Sequence, residues 1–74
     1  MTVENNKYQT GPLTLLRLPE VCRRTGKKRS SLYRDIVAGS FPAPVKVGER
    51  ASAWVDGEIS AWVAARVAAR DGRE

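Results

Sequence analysis

Six cations and no acid occupy the stretch Arg23-Arg24-Thr25-Gly26-Lys27-Lys28-Arg29-Ser30-Ser31-Leu32-Tyr33-Arg34. The chemistry open to these residue types is recognition. Guanidinium forks clamp phosphates or read guanine edges, ammonium groups grip phosphates, and short hydroxyls bond to phosphate or base oxygens. A charge run is usually a solvated face and nothing more. Here Gly26 sits where a turn joins two short helices, and an apolar Leu32–Ile36 spacing follows. The cations therefore ride on a helix-turn-helix, a device for gripping phosphates while presenting side chains to a DNA groove.

Catalysis has no comparable footing. The chain has no histidine, so the commonest general base and metal ligand is missing. Its one cysteine, Cys22, allows no intramolecular disulfide and no thiolate zinc site. Cys22 reads as a half-buried packing residue in a helix. With no carboxylate cluster either, the expectation is a protein that is not an enzyme, with no catalytic residues, metal, cofactor or small-molecule substrate.

Seventy-four residues make one small domain. Such a chain buries only about 60% of the surface that its unfolded form exposes, so it cannot combine a core with a deep cleft. Net charge is +5. Residues 17–50 carry nine Lys/Arg against three acids, whereas residues 51–74 sum to −1. One basic sector points to a polyanion partner, because charge kept for solubility is normally mixed in sign. No apolar run approaches the roughly 18 residues of a membrane span, and no signal-peptide pattern opens the chain. The expectation is a soluble, cytoplasmic protein without a membrane partner.

The elements that must position the cations follow from punctuation and periodicity. Residues 1–13 lack periodicity and read as a flexible arm. A first helix is predicted from about Pro19 to Thr25, with proline and Glu20 in its first turn and Leu18, Val21 and Cys22 on one face. Gly26 ends it. A second helix is predicted over 29–38, with Leu32, Ile36 and Val37 inward and Gly39 as its stop. Lys28 stands at its N-cap but offers no acceptor; Ser30 is the alternative cap. Phe41-Pro42-Ala43-Pro44 must be extended, with Phe41 plugging the core beneath that helix.

Val45-Lys46-Val47 and Ala51-Ser52-Ala53-Trp54 form a hairpin around Gly48-Glu49-Arg50, with Val45, Val47 and Trp54 on its core side. Asp56 is expected to cap a last helix, about Gly57–Arg70, whose Ile59, Trp62, Val63 and Val67 share a face. The Val-Ala-Ala-Arg repeat at 63–66 and 67–70 needs no functional explanation, and 71–74 is a frayed tail. The domain proper is thus 14–70. Its fold class is mainly α with a small β-hairpin, a winged helix-turn-helix.

Particular residues carry the resemblance to a family. They are Arg17-Leu18-Pro19-Glu20-Val21, Thr25-Gly26 and Arg29-Ser30-Ser31-Leu32-Tyr33-Arg34-Asp35-Ile36. Gly39-Ser40-Phe41-Pro42-Ala43-Pro44-Val45-Lys46-Val47-Gly48, Trp54 and Glu58-Ile59-Ser60-Ala61-Trp62 complete the set. Over about residues 15–66 the chain resembles the AlpA family of small phage and prophage DNA-binding proteins. The Arg-Ser-x-Leu-Tyr-Arg run followed by Phe-Pro-x-Pro is the specific part. The resemblance implies a MerR-like, excisionase-like winged helix-turn-helix. It also implies a transcriptional regulator, or a recombination directionality factor that bends attachment-site DNA. The second helix becomes the recognition helix, with Arg29, Ser30, Tyr33 and Arg34 facing DNA, and the hairpin 44–54 becomes the wing. Lys27 and Lys28 depart from the pattern, which has an apolar residue and a serine-like cap there.

Each candidate has a bland counterpart. Arg29 and Arg34 contact DNA or form surface ion pairs, Arg34 with Asp35. Ser30 and Ser31 bond to phosphate or base edges, or cap the helix. Tyr33 stacks on sugar-phosphate or a thymine methyl, or packs beside Phe41. Lys27 and Lys28 grip phosphates or are merely solvated. Arg50 at the wing tip reaches the minor groove or backbone, with Lys46 a weaker contact on the same outward face. Arg23 and Arg24 suit a helix C-terminus on structural grounds alone, and Trp54 and Trp62 belong to the core. The partner expected is double-stranded DNA, with self-association on DNA left open. The competing class is a protein-interaction adaptor, which the acid-free stretch disfavours.

Overall fold

The computed structural model describes residues 13–72. Apart from Leu13, the arm expected over 1–13 lies outside these residues, as do Arg73 and Glu74 of the tail. The elements run β1 (Leu15–Leu16), α1 (Leu18–Thr25), α2 (Arg29–Ala38), β2 (Val45–Gly48), β3 (Ala51–Val55) and α3 (Asp56–Arg70). Three helices pack around a small antiparallel sheet of order β1-β3-β2, which is a winged helix-turn-helix.

Both helix stops fall where glycine allows them. Gly26 (φ 75°) and Gly39 (φ 84°) take left-handed backbone, a conformation that side-chain-bearing residues resist. Gly26 N–H donates to the Cys22 carbonyl at 2.8 Å, and Ser40 N–H closes α2 onto the Asp35 carbonyl at 2.9 Å. Pro42 and Pro44 then keep the chain extended into β2.

The core is Val21 of α1, Leu32 of α2, Phe41, Trp54 of β3 and Ile59 of α3. Leu18, Cys22, Ile36 and Trp62 pack half-buried around it. Both indoles, buried Trp54 and half-buried Trp62, find carbonyls. Trp54 Nε1 donates to Pro42 at 3.0 Å and Trp62 Nε1 to Ser40 at 3.1 Å. These bonds tie the 40–44 segment to β3 and α3. Phe41 meets Trp62 edge-on, with centroids 5.1 Å apart.

Four expectations are corrected. The strand β1 was not foreseen; it pairs Leu16 with Trp54 and Leu15 with Val55, making β3 the central strand. Val37 is 89% exposed, because at about 100° per residue it lies about 140° round the helix from Leu32. Val45 and Val47 are also exposed, at 40% and 44%. Val45 pairs with Ala53 and Lys46 with Ser52. Cross-strand partners share a face and β3 alternates, so Lys46 shares the Trp54 side and Val45 does not. Finally, Asp56 does not cap α3. Val55 holds the cap position without a side-chain bond, and the Asp56 carboxylate is the partner of Arg24 instead. On α3 the expected apolar face thins outward: Ile59 is buried, Trp62 and Val63 are half-buried, and Val67 is exposed.

Candidate nucleic-acid interface

The folded chain sorts its cations into two groups. One group is tied to carboxylates. Arg23 pairs with Glu20 one turn away on α1, and that hydrogen bond pulls the Glu20 carboxyl below its ordinary range. Arg24 reaches from α1 to α3, bonding Asp56 Oδ1 at 3.0 Å and Ser60 Oγ at 2.9 Å. Lys27 pairs with Asp35, with side chains only 20% and 24% exposed. Its hydrogen bond is the main cause of an Asp35 carboxyl held below the usual carboxylate range. The Lys27 ammonium also lies over the Trp62 ring, 5.6 Å from its centroid, and Arg66 Cζ lies 5.5 Å from the same centroid. The turn position where an apolar residue is expected is therefore an inward-facing one. Lysine fills it by laying its stem along the indole and giving its charge to Asp35.

The other group is uncommitted. Among the described residues, Arg17, Lys28, Arg29, Lys46, Arg50 and Arg66 have no carboxylate within ion-pair distance, and Arg34 has only a loose one. The Arg34 Nε lies 3.9 Å from Asp35 Oδ1, and its side chain is 74% exposed. That geometry leaves its guanidinium able to reach outward.

On α2 the exposed residues are Arg29, Ser30, Tyr33, Arg34, Val37 and Ala38, with Ser31 half-buried at the flank and Lys28 at the start. The helix begins at Arg29, with Lys28 at the N-cap and no side-chain cap. Neither Ser30 nor Ser31 performs the capping role. Its first turn contains no acid, so the partial positive charge of the helix end adds to Lys28 and Arg29 instead of being offset. Tyr33 packs edge-on against Trp54, centroids 6.3 Å apart, and not beside Phe41. Arg29 Cζ lies over the Tyr33 ring, 5.8 Å from its centroid. Tyr33 is thus a fixed wall carrying an arginine.

That wall borders a groove of about 350 Å³ between α2, the start of α1 and the wing. Arg17, Arg29 and Arg50 line it together with Tyr33, Ser52 and Trp54. Arg29 and Arg50, expected on different elements, are brought together here. Arg34 lies elsewhere on the exposed face of α2, and Lys46 lies beside Ser52 on the same face of the sheet. Arg17 was not among the candidates. It stands outside the basic run, and the signal that marks it is an arginine at the N-terminal end of a helix, where a cation is electrostatically disfavoured.

The elements and the groove define a small winged helix-turn-helix domain with a cationic side. Residues 14–67 match the family described as Prophage CP4-57 regulatory protein (AlpA), and the chain belongs to this family of phage regulatory proteins. It is 44% identical over 55 residues to "Uncharacterized protein ORF88" of Enterobacteria phage P4, an overlap that covers 74% of this chain and 62% of the relative. No solved structure matches the chain. Among the described residues no helix is long and apolar enough to cross a membrane.

Proposed function

We propose that this protein is a sequence-specific, double-stranded DNA-binding regulator of the phage type, working in the cytoplasm without catalysis. The observation that carries this reading is the sorting of charge. Arg23, Arg24, Lys27 and Arg70 are paired off within the fold, while the cations of α2 and the wing, with Arg17 and Arg66, keep their charge for an external polyanion, Arg34 having only its loose contact. In this arrangement α2 enters the major groove. Arg29 and Arg34 supply forks for guanine edges, Ser30 and Ser31 supply hydroxyls, and Lys28 holds a phosphate. Tyr33 offers its free edge to the sugar-phosphate backbone. Lys46 and Arg50 take the flanking backbone or minor groove. Lys27 contributes to this surface by bracing the start of α2 through Asp35.

The test compares readout with grip. Arg29→Ala and Arg34→Ala each weaken a selected site by about 1–3 kcal/mol more than random duplex, as loss of a bidentate base contact should. Lys28→Ala weakens both duplexes about equally. Four-way titration of wild type and these variants checks it, and equal losses in all three would remove α2 from the recognition role. A recombination directionality factor would use the same face. It differs in bending its site strongly, which circularly permuted fragments reveal in a gel-shift assay.

A further inference from the structure

We propose that Arg17 completes, with Arg29 and Arg50, a cradle for one sugar-phosphate step of the DNA backbone, at the ridge that separates the groove read by α2 from the groove met by the wing. The inference rests on the DNA reading above and adds to it a residue and a point of contact.

The local chain holds Arg17 in place. Leu16 pairs with Trp54 across β1 and β3, so the residue after it is anchored beside the strand that floors the groove. Arg17 has extended backbone (φ −84°, ψ 166°), and its carbonyl accepts the N–H groups of Glu20 and Val21, both at 3.1 Å. Leu16 and Leu18 on either side pack on the core. Arg17 itself is exposed and lines the groove.

Nothing in the fold rewards a positive charge at this position. Arg17 is the N-cap residue of α1 and makes no capping bond, and its charge opposes the helix dipole. Among the described residues it has no carboxylate partner. Arg29 repeats the pattern at the start of α2; Arg50, in the hairpin turn, opposes no helix dipole but likewise has no carboxylate partner among the described residues. Three such arginines converge on one groove, which their mutual repulsion would discourage unless an anion is shared between them.

The occupant follows from docking geometry. If α2 lies in the major groove and the wing lies against the adjacent minor groove, the phosphate ridge between those grooves must pass through the gap between the two elements. That gap is this groove. Its walls fit the ridge: guanidinium forks for phosphate oxygens, the Ser52 hydroxyl as a further donor, and the Tyr33, Leu18 and Pro19 surfaces for the apolar sugar edge.

The experiment replaces single phosphates of a bound duplex with uncharged methylphosphonates. For the wild-type protein one position costs about tenfold in affinity, the scale of a charged hydrogen bond. In Arg17→Ala that position becomes insensitive, affinity falls about equally on specific and random duplex, and the log–log salt slope becomes shallower by about 0.9. Arg17→Lys, which keeps the charge, retains the slope and loses part of the affinity. The wild-type scan and the lysine variant read the contact without a truncated side chain. If Arg17→Ala keeps wild-type affinity and slope while Arg29→Ala binds weakly, the cradle is refuted and the DNA reading stands. If wild type binds no duplex, both fail. Displacement of duplex by polyglutamate at matched charge, abolished in Arg17→Ala, would give the groove to an acidic protein and refute the proposal.

Discussion

Replacing Trp54 should decide whether the recognition surface is held by the core in the way the contacts indicate. Trp54 is fully buried, donates to the Pro42 carbonyl at 3.0 Å, and backs Tyr33 on the groove wall. Its strand is paired on both sides, with Leu16 opposite it on β1. A buried tryptophan cut to alanine costs about 3–5 kcal/mol. A folded unit of this size has a total stability of about 3–9 kcal/mol, at roughly 0.05–0.15 kcal/mol per residue. Trp54→Ala should therefore remove at least about a third of that stability and lower Tm by more than about 10 °C. Trp54→Phe keeps a ring against Leu32 and Tyr33 but strands the Pro42 carbonyl and leaves a small void. That combination should cost about 1–3 kcal/mol. At about 4–8 °C per kcal/mol for a domain of this length, Tm should fall by roughly 5–20 °C. Far-UV circular dichroism melts of the three proteins provide the assay. A cooperative Trp54→Ala melt within about 5 °C of wild type would refute the claim that this side chain organises the core.

Two further outcomes are expected. Because its partner Lys27 depresses the Asp35 carboxyl, the pair's stabilisation is present in full above the ordinary aspartate range and is lost as pH falls through the lowered value; Tm measured against pH should drop more on the acid side for wild type than for Asp35→Asn. Arg50→Ala, at an exposed turn, should change stability by no more than about 0.5 kcal/mol. The same variant should weaken DNA binding and shorten the footprint on one side, and an unchanged footprint would reduce the wing to a brace.

Local rules carried most of the fold. The bounds of α2 coincide with the expected 29–38, because glycine with positive φ stops a helix wherever it stands and an i, i+4 pair such as Leu32 and Ile36 marks an inner face. The failures share a cause: each depended on a partner far along the chain. Two residues of β1 are too few to show periodicity, and their strand status exists only because β3 lies beside them. The alternation Val45-Lys46-Val47 identified a strand but could not say which face was inward. The register with Ala53 and Ser52 decides that, and it shifts between Lys46 and Gly48. Asp56 has the right chemistry for a cap, yet an arginine 32 residues earlier claims its carboxylate.

The same distinction separates the legible part of the candidate site from the hidden part. Counting charge located the basic sector, since a sum needs no coordinates. What a sum cannot do is tell a committed cation from a free one. Lys27 and Lys28 are adjacent and chemically identical, yet Lys27 is folded onto Trp62 and Asp35 while Lys28 stands exposed at the helix start. The useful quantity is charge left after internal pairing, and it moves the centre of the surface. It draws the emphasis away from Arg23, Arg24 and Lys27, and toward Arg17, Arg29 and Arg50, which three separate segments bring to one groove. A cation that sits against a helix dipole without a carboxylate partner is a cost the fold does not recover internally. Arg17 and Arg29 both sit this way and Arg50 joins them in one groove, which is the ground for proposing an external anion there.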